Sequence, residues 1–78
     1  MKFTIYSKHG CPYCDKIKAV MHTYNFDHVV YTLGEDFDRQ QFISEFGEGS
    51  TFPQVIMDDK HLGGCVDTVK YLKENNLV

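Results

Sequence analysis

Cys11 and Cys14, separated only by Pro12 and Tyr13, are the residues of this chain best suited to chemistry. Two thiols at this spacing, between an apolar strand-like run (Phe3-Thr4-Ile5-Tyr6) and a helix-like one, can form and break a disulfide. Only a thiolate attacks a disulfide, so the two cysteines are distinguished by which ionises more easily. Cys11 falls at the N-cap of the helix and Pro12 at its first position, where a missing N–H costs nothing. The free N–H groups of Tyr13 and Cys14 can then point at the Cys11 sulfur, and the helix dipole and Lys8 favour its negative charge. Cys14 lies one turn on, on the same face, where burial keeps its proton longer. Cys11 is therefore expected to be the exposed nucleophile that forms a mixed disulfide, and Cys14 the thiol that resolves it. Tyr13 offers a flat face beside the sulfur or simply packs. Half of a zinc site is the competing reading, but it needs two more ligands at metal spacing. Cys65, His9, His22, His28 and His61 supply no second pair, so no metal is expected.

Two further stretches fit a thiol substrate. Thr51-Phe52-Pro53 precedes a strand-like run, and a proline without an N–H belongs at a strand's start. If the Phe52–Pro53 bond is cis, the Phe52 backbone stays open to an added strand; a trans proline would merely open the strand. Gly63-Gly64-Cys65-Val66-Asp67 leads into the last helix. Its free N–H groups can hold a carboxylate and Asp67 an ammonium, together a site for an amino-acid-like end. The same residues also read as a plain glycine turn and helix cap.

The elements that position these residues follow from periodicity. Lys2–Tyr6 alternates as a strand; Tyr13, Ile17, Val20, Met21 and Tyr24 give the next helix its apolar face, and Asn25 ends it. His28–Leu33 reads as a second strand, making a right-handed parallel βαβ unit. Asp38 with Gln41 marks a capping box for a helix carrying Phe42, Ile43 and Phe46, stopped by Gly47 or Gly49. Gln54–Met57, an Asp58-Asp59 turn and Lys60–Leu62 form a hairpin. A last helix over Val66–Asn75 buries Val66, Val69 and Leu72. The order β-α-β-α-β-β-α is that of a thioredoxin-type α/β domain, and 78 residues leave room for this one domain alone.

Charge is uneven. Residues 1–24 carry four lysines against Asp15, residues 25–59 carry eight carboxylates against Arg39, and the whole chain is −3. A CxxC in the basic part of an acidic protein favours a thiolate and an anionic small substrate and argues against nucleic acid. No run approaches the roughly 18 apolar residues of a membrane span, and the start lacks a signal-peptide pattern. Three cysteines suit a reducing cytoplasm, the host's if the chain is of phage origin, better than a secreted disulfide framework.

Lys8, Cys11-Pro12-Tyr13-Cys14, Thr51-Phe52-Pro53 and Gly63-Gly64-Cys65-Val66-Asp67, in this order and at these intervals, resemble the glutaredoxin family, in its small bacterial and phage-like dithiol form. The resemblance implies a four-stranded mixed sheet flanked by three helices, a cis Phe52–Pro53 bond and reduction of protein and glutathione mixed disulfides by a monomer. Glutathione is the implied reducing co-substrate, with no permanently bound cofactor, and ribonucleotide reductase an implied protein acceptor. Lys8 would meet the glycine carboxylate of glutathione and Phe52 its cysteine backbone. Thr51, Pro53 and Gly64 would line the site, Cys65, Val66 and Asp67 would hold the γ-glutamyl end, and Tyr13 would lie along the sulfur. Two departures stand out: Phe52 where many relatives have Val, and Glu45 and Ser50 where relatives often carry cationic or polar partners. A missing cation at an exposed site is worth up to about 1 kcal/mol, or roughly fivefold in affinity. Two other readings are a redoxin reduced by thioredoxin reductase and a glutathione-ligated [2Fe–2S] carrier, the latter disfavoured by Pro12. Cys65 reads as a small packing residue or as a secondary thiol.

Overall fold

In the computed structural model, which describes all 78 residues, the first strand becomes the axis of the molecule because its alternate side chains serve two layers. Strand β1 (Lys2–Ser7) has Phe3, Ile5 and Ser7 fully buried on one face and Thr4 and Tyr6 half-buried on the other. Helix α1 (Pro12–Thr23) returns the chain so that β2 (Asp27–Thr32) pairs parallel to β1, from Lys2 opposite Asp27 to Ser7 opposite Thr32. Helix α2 (Arg39–Phe46) follows, then β3 (Gln54–Met57), antiparallel to β1, and β4 (Lys60–Gly63), antiparallel to β3. Helix α3 (Cys65–Glu74) closes the chain. The sheet order is β2-β1-β3-β4, so the fold is the thioredoxin-like one, a four-stranded mixed sheet with three helices.

Phe3 and Ile5 of β1, Ile17 and Met21 of α1, Val55 of β3, and Cys65 and Leu72 of α3 form one buried cluster. Burying each large side chain contributes about 1.5–3 kcal/mol. The opposite sheet face is aromatic: the Tyr6 ring lies 5.0 Å from Phe46 of α2 and 5.3 Å from Phe37. Local signals set the helix ends. Asp38 accepts from the Gln41 N–H while the Gln41 side chain accepts from the Asp38 N–H, both at 2.8 Å, the reciprocal box expected of that pair. Gly47 caps the other end of α2, and Asn25 (φ 55°) turns the chain after α1. No helix is long and apolar enough to cross a membrane.

Three residues expected in the core are on the surface: Tyr13 is 55% exposed, Tyr24 52% and Val66 70%. The stripe that α1 buries is Cys14, Ile17 and Met21, and Tyr24 falls beyond the last helical residue. Tyr13 sits in the first turn, at the edge of that stripe. In α3 the buried stripe is Cys65, Thr68 and Leu72, which turns Val66 about 100° away from Cys65. Element bounds shift by a residue: β2 runs Asp27–Thr32 instead of His28–Leu33, β4 gains Gly63, and α3 begins at Cys65 and ends at Glu74.

Candidate active site

The N-terminus of α1 holds the reactive pair. Cys11 is the N-cap in extended conformation, Pro12 opens the helix, and the Cys14 N–H donates to the Cys11 sulfur at 3.1 Å. This bond and the helix dipole would stabilise negative charge on the Cys11 sulfur once the pair is reduced. The two cysteines form a disulfide, with Cα atoms 5.2 Å apart. Their burial is unequal but both are covered: Cys14 is inaccessible, and Cys11, expected to be exposed, is 6% exposed. The proline segment lies against it, with its sulfur 3.8 Å from the Phe52 carbonyl oxygen.

The Phe52–Pro53 peptide is cis. Neither the N–H nor the C=O of Phe52 has a backbone hydrogen-bond partner, so both are open to an added strand beside Cys11. The segment is braced by residues that sequence reasoning passed over. Gln54, itself buried, donates to the Thr51 carbonyl at 2.8 Å, and His61 lies 2.7 Å from the Gln54 side-chain oxygen. The Phe52 ring stacks on Phe42 at 4.1 Å between centroids. No local pattern encodes the last two contacts, because they join β3 to β4 and the proline loop to α2.

A groove of about 180 Å³ lies between Tyr13, the cis-proline segment and the start of α3. Tyr13 forms one side, Thr51, Phe52 and Pro53 the floor, and Gly64, Cys65, Val66 and Asp67 the far end. Lys8 stands outside this lining, but its ammonium lies 5.4 Å from the Phe52 ring centroid, at the groove's border. Gly64 is the N-cap of α3 and brings no side-chain cap, leaving the N–H groups of Cys65, Val66 and Asp67 without a backbone partner. Gly63 has φ 109°, and a Cβ built there would sit 2.8 Å from a carboxylate oxygen of Asp67. Only glycine therefore lets Asp67 fold back over the turn. Cys65 is buried in the groove's base, and that burial pushes its thiol up, against a smaller opposing pull from Lys16. The remaining candidates lie elsewhere. His9, near Cys11, pairs with Glu35 on the turn after β2. Glu45 lines a separate cleft beside Tyr6, and the Ser50 hydroxyl donates to the Phe46 carbonyl at 2.7 Å. No three of the His, Cys, Asp and Glu side chains gather as a metal site.

The family model for glutaredoxin matches residues 3–62, which span both cysteines and the cis-proline loop. The chain belongs to the glutaredoxin family. It is similar to Glutaredoxin 1 of Rickettsia prowazekii, 35% identical over 75 residues covering 94% of this chain and 79% of that one. It is also similar to a Vibrio cholerae glutaredoxin, 33% identical over 84 residues, covering 96% and 94%. The crystal structure of Glutaredoxin 1 from Francisella tularensis superposes with a TM-score of 0.79 at 29% identity, over 97% of this chain and 95% of that one. A glutaredoxin with a buried cysteine pair at a helix N-terminus is a thiol–disulfide oxidoreductase.

Proposed function

We propose that this glutaredoxin reduces glutathione mixed disulfides and protein disulfides, drawing its electrons from glutathione. The observation that carries the reading is the groove beside Cys11, where one end offers the unpartnered Phe52 backbone and the other three unpartnered N–H groups beside Asp67. Together these complement a peptide backbone joined to an α-amino acid end, which describes the cysteine and γ-glutamyl parts of glutathione. Lys8, over Phe52, supplies positive charge for the remaining carboxylate. Lys8, Tyr13, Thr51, Phe52, Pro53, Gly64, Cys65, Val66 and Asp67 are thus the proposed binding residues.

In the forward reaction the Cys11 thiolate attacks the glutathione sulfur of a mixed disulfide. The old S–S bond breaks, and the substrate's sulfur leaves as a thiolate that takes a proton. A second glutathione then attacks the Cys11-bound sulfur, releasing oxidised glutathione and restoring Cys11. For an intramolecular protein disulfide, Cys14 attacks the Cys11 mixed disulfide and expels the reduced product, leaving the Cys11–Cys14 bond for glutathione to reduce. Ribonucleotide reductase is a fitting protein acceptor, the cytoplasm the fitting compartment, and the monomer the working form. The pairwise test is a Cys14→Ser variant, expected to keep turning over glutathione mixed disulfides, beside Cys11→Ser, expected to abolish turnover. Activity surviving in Cys11→Ser would overturn the assignment of roles.

A further inference from the structure

A second cleft, of about 340 Å³, opens on the α2 face of the sheet. The rings of Tyr6, Tyr31, Phe37 and Phe42 line it, together with the carboxylates of Asp36 and Glu45. No cation of the chain serves these carboxylates, since the molecule's ion pairs are His9–Glu35 and Lys18–Asp15. Asp36 accepts the Thr32 N–H at 2.9 Å, and Glu45 has neither a hydrogen bond nor an ion pair. Tyr6 stays a neutral phenol beside these carboxylates, its pKa raised by burial first and then by Glu45 and Tyr31. Aromatic faces beside unpaired carboxylates are complementary to an organic cation, and best to a planar guanidinium that can stack and pair at once.

The cleft adjoins the redox site through one ring. Phe52, which floors the groove beside Cys11, lies 4.1 Å from Phe42 and 6.2 Å from Phe37, both walls of the cleft. A strand advances about 3.3 Å per residue. A segment paired with the Phe52 backbone therefore passes the cleft within one to three residues of its own cysteine. We propose that this cleft is a specificity subsite taking a cationic side chain, arginine above all, from the protein segment whose disulfide Cys11 reduces. The subsite rests on the reading above that protein disulfides are substrates.

The test uses disulfide-linked dimers of peptides, in which Cys11 must attack a peptide sulfur, paired so that they differ only in arginine or its neutral isostere citrulline, placed one, two or three residues from the cysteine. At one of these positions kcat/KM should favour arginine by roughly fivefold at low salt, and less as ionic strength rises. The preference should vanish in a Glu45→Gln, Asp36→Asn double variant that still turns over the mixed disulfide of glutathione and mercaptoethanol at the parent rate. Equal kcat/KM for arginine and citrulline at all three positions would overturn the subsite while leaving the redox reading intact. Should no glutathione mixed disulfide turn over at all, the redox reading fails instead. The cleft is then decided by NMR titration of the oxidised protein with the cysteine-free peptides. Saturable shifts at Tyr6, Tyr31 and Phe37 with arginine alone would uphold it, and none would end it.

Discussion

Replacing Gly63 by alanine tests how the turn before α3 holds the far end of the groove. Two costs arise. The residue has φ 109°, where a side chain is strained by roughly 1–3 kcal/mol. The new Cβ would also stand 2.8 Å from the Asp67 carboxylate oxygen and 3.1 Å from the Asp67 Cβ, closer than real contacts allow. Asp67 is exposed and can swing away, so the clash is relieved at the expense of its position in the groove. A domain of this size loses roughly 4–8 °C in Tm per kcal/mol, so Gly63→Ala should melt about 4–24 °C lower. An exposed charge partner is worth up to about 1 kcal/mol, so KM for a glutathione mixed disulfide should rise up to roughly fivefold. Thermal unfolding and steady-state kinetics read the two effects separately. In an Asp67→Ala background the KM effect of Gly63→Ala should disappear while the backbone part of the Tm loss persists. A Gly63→Ala protein with parental Tm and KM would refute the account of this turn.

Two further outcomes follow from the buried polar groups. Thr68 is fully buried and its hydroxyl has no partner, so Thr68→Val should stabilise the fold by about 1 kcal/mol, read as a higher Tm; a lower one would mean the hydroxyl is satisfied. Cys65 and Tyr6 both have raised pKa values when folded, so the native state holds those protons more tightly than the unfolded chain. Their contribution is complete below the unfolded thiol's value of about 8.5 and is lost as pH rises through the folded values, so stability of the oxidised protein should fall above that pH. Denaturant melts from pH 7 to 10 should show this decline, flatter in Cys65→Ala, and iodoacetamide at neutral pH should modify Cys65 only after unfolding.

What was legible in the sequence was local. Alternation in Lys2–Tyr6, the Asp38–Gln41 capping box and the Asp58-Asp59 turn each encode their element within a few residues, and the elements formed within a residue or so of where they were expected. The groove residues were legible as motifs because backbone groups at a proline and at a glycine-led helix start have few alternative uses. Tertiary packing was not legible. Periodicity placed Tyr13 and Val66 among core residues, but neither has a partner element above it, and both line the groove instead. The Gln54–His61 brace and the Phe42–Phe52 stack join residues seven and ten apart across different elements, so no spacing rule could find them. Glu45 was read against the glutathione carboxylate, whereas the structure sets it in the aromatic cleft beside Tyr6.

The central claim is that glutathione, held along the groove between Phe52 and Asp67, supplies the electrons that Cys11 transfers. The most direct measurement is turnover of a glutathione mixed disulfide with glutathione and glutathione reductase, run beside the same protein supplied by thioredoxin reductase alone. The account predicts rapid turnover with glutathione that requires Cys11 and weakens in Lys8→Ala. Reduction by thioredoxin reductase with no turnover on glutathione would contradict it, leaving the dithiol in place and removing glutathione from the groove.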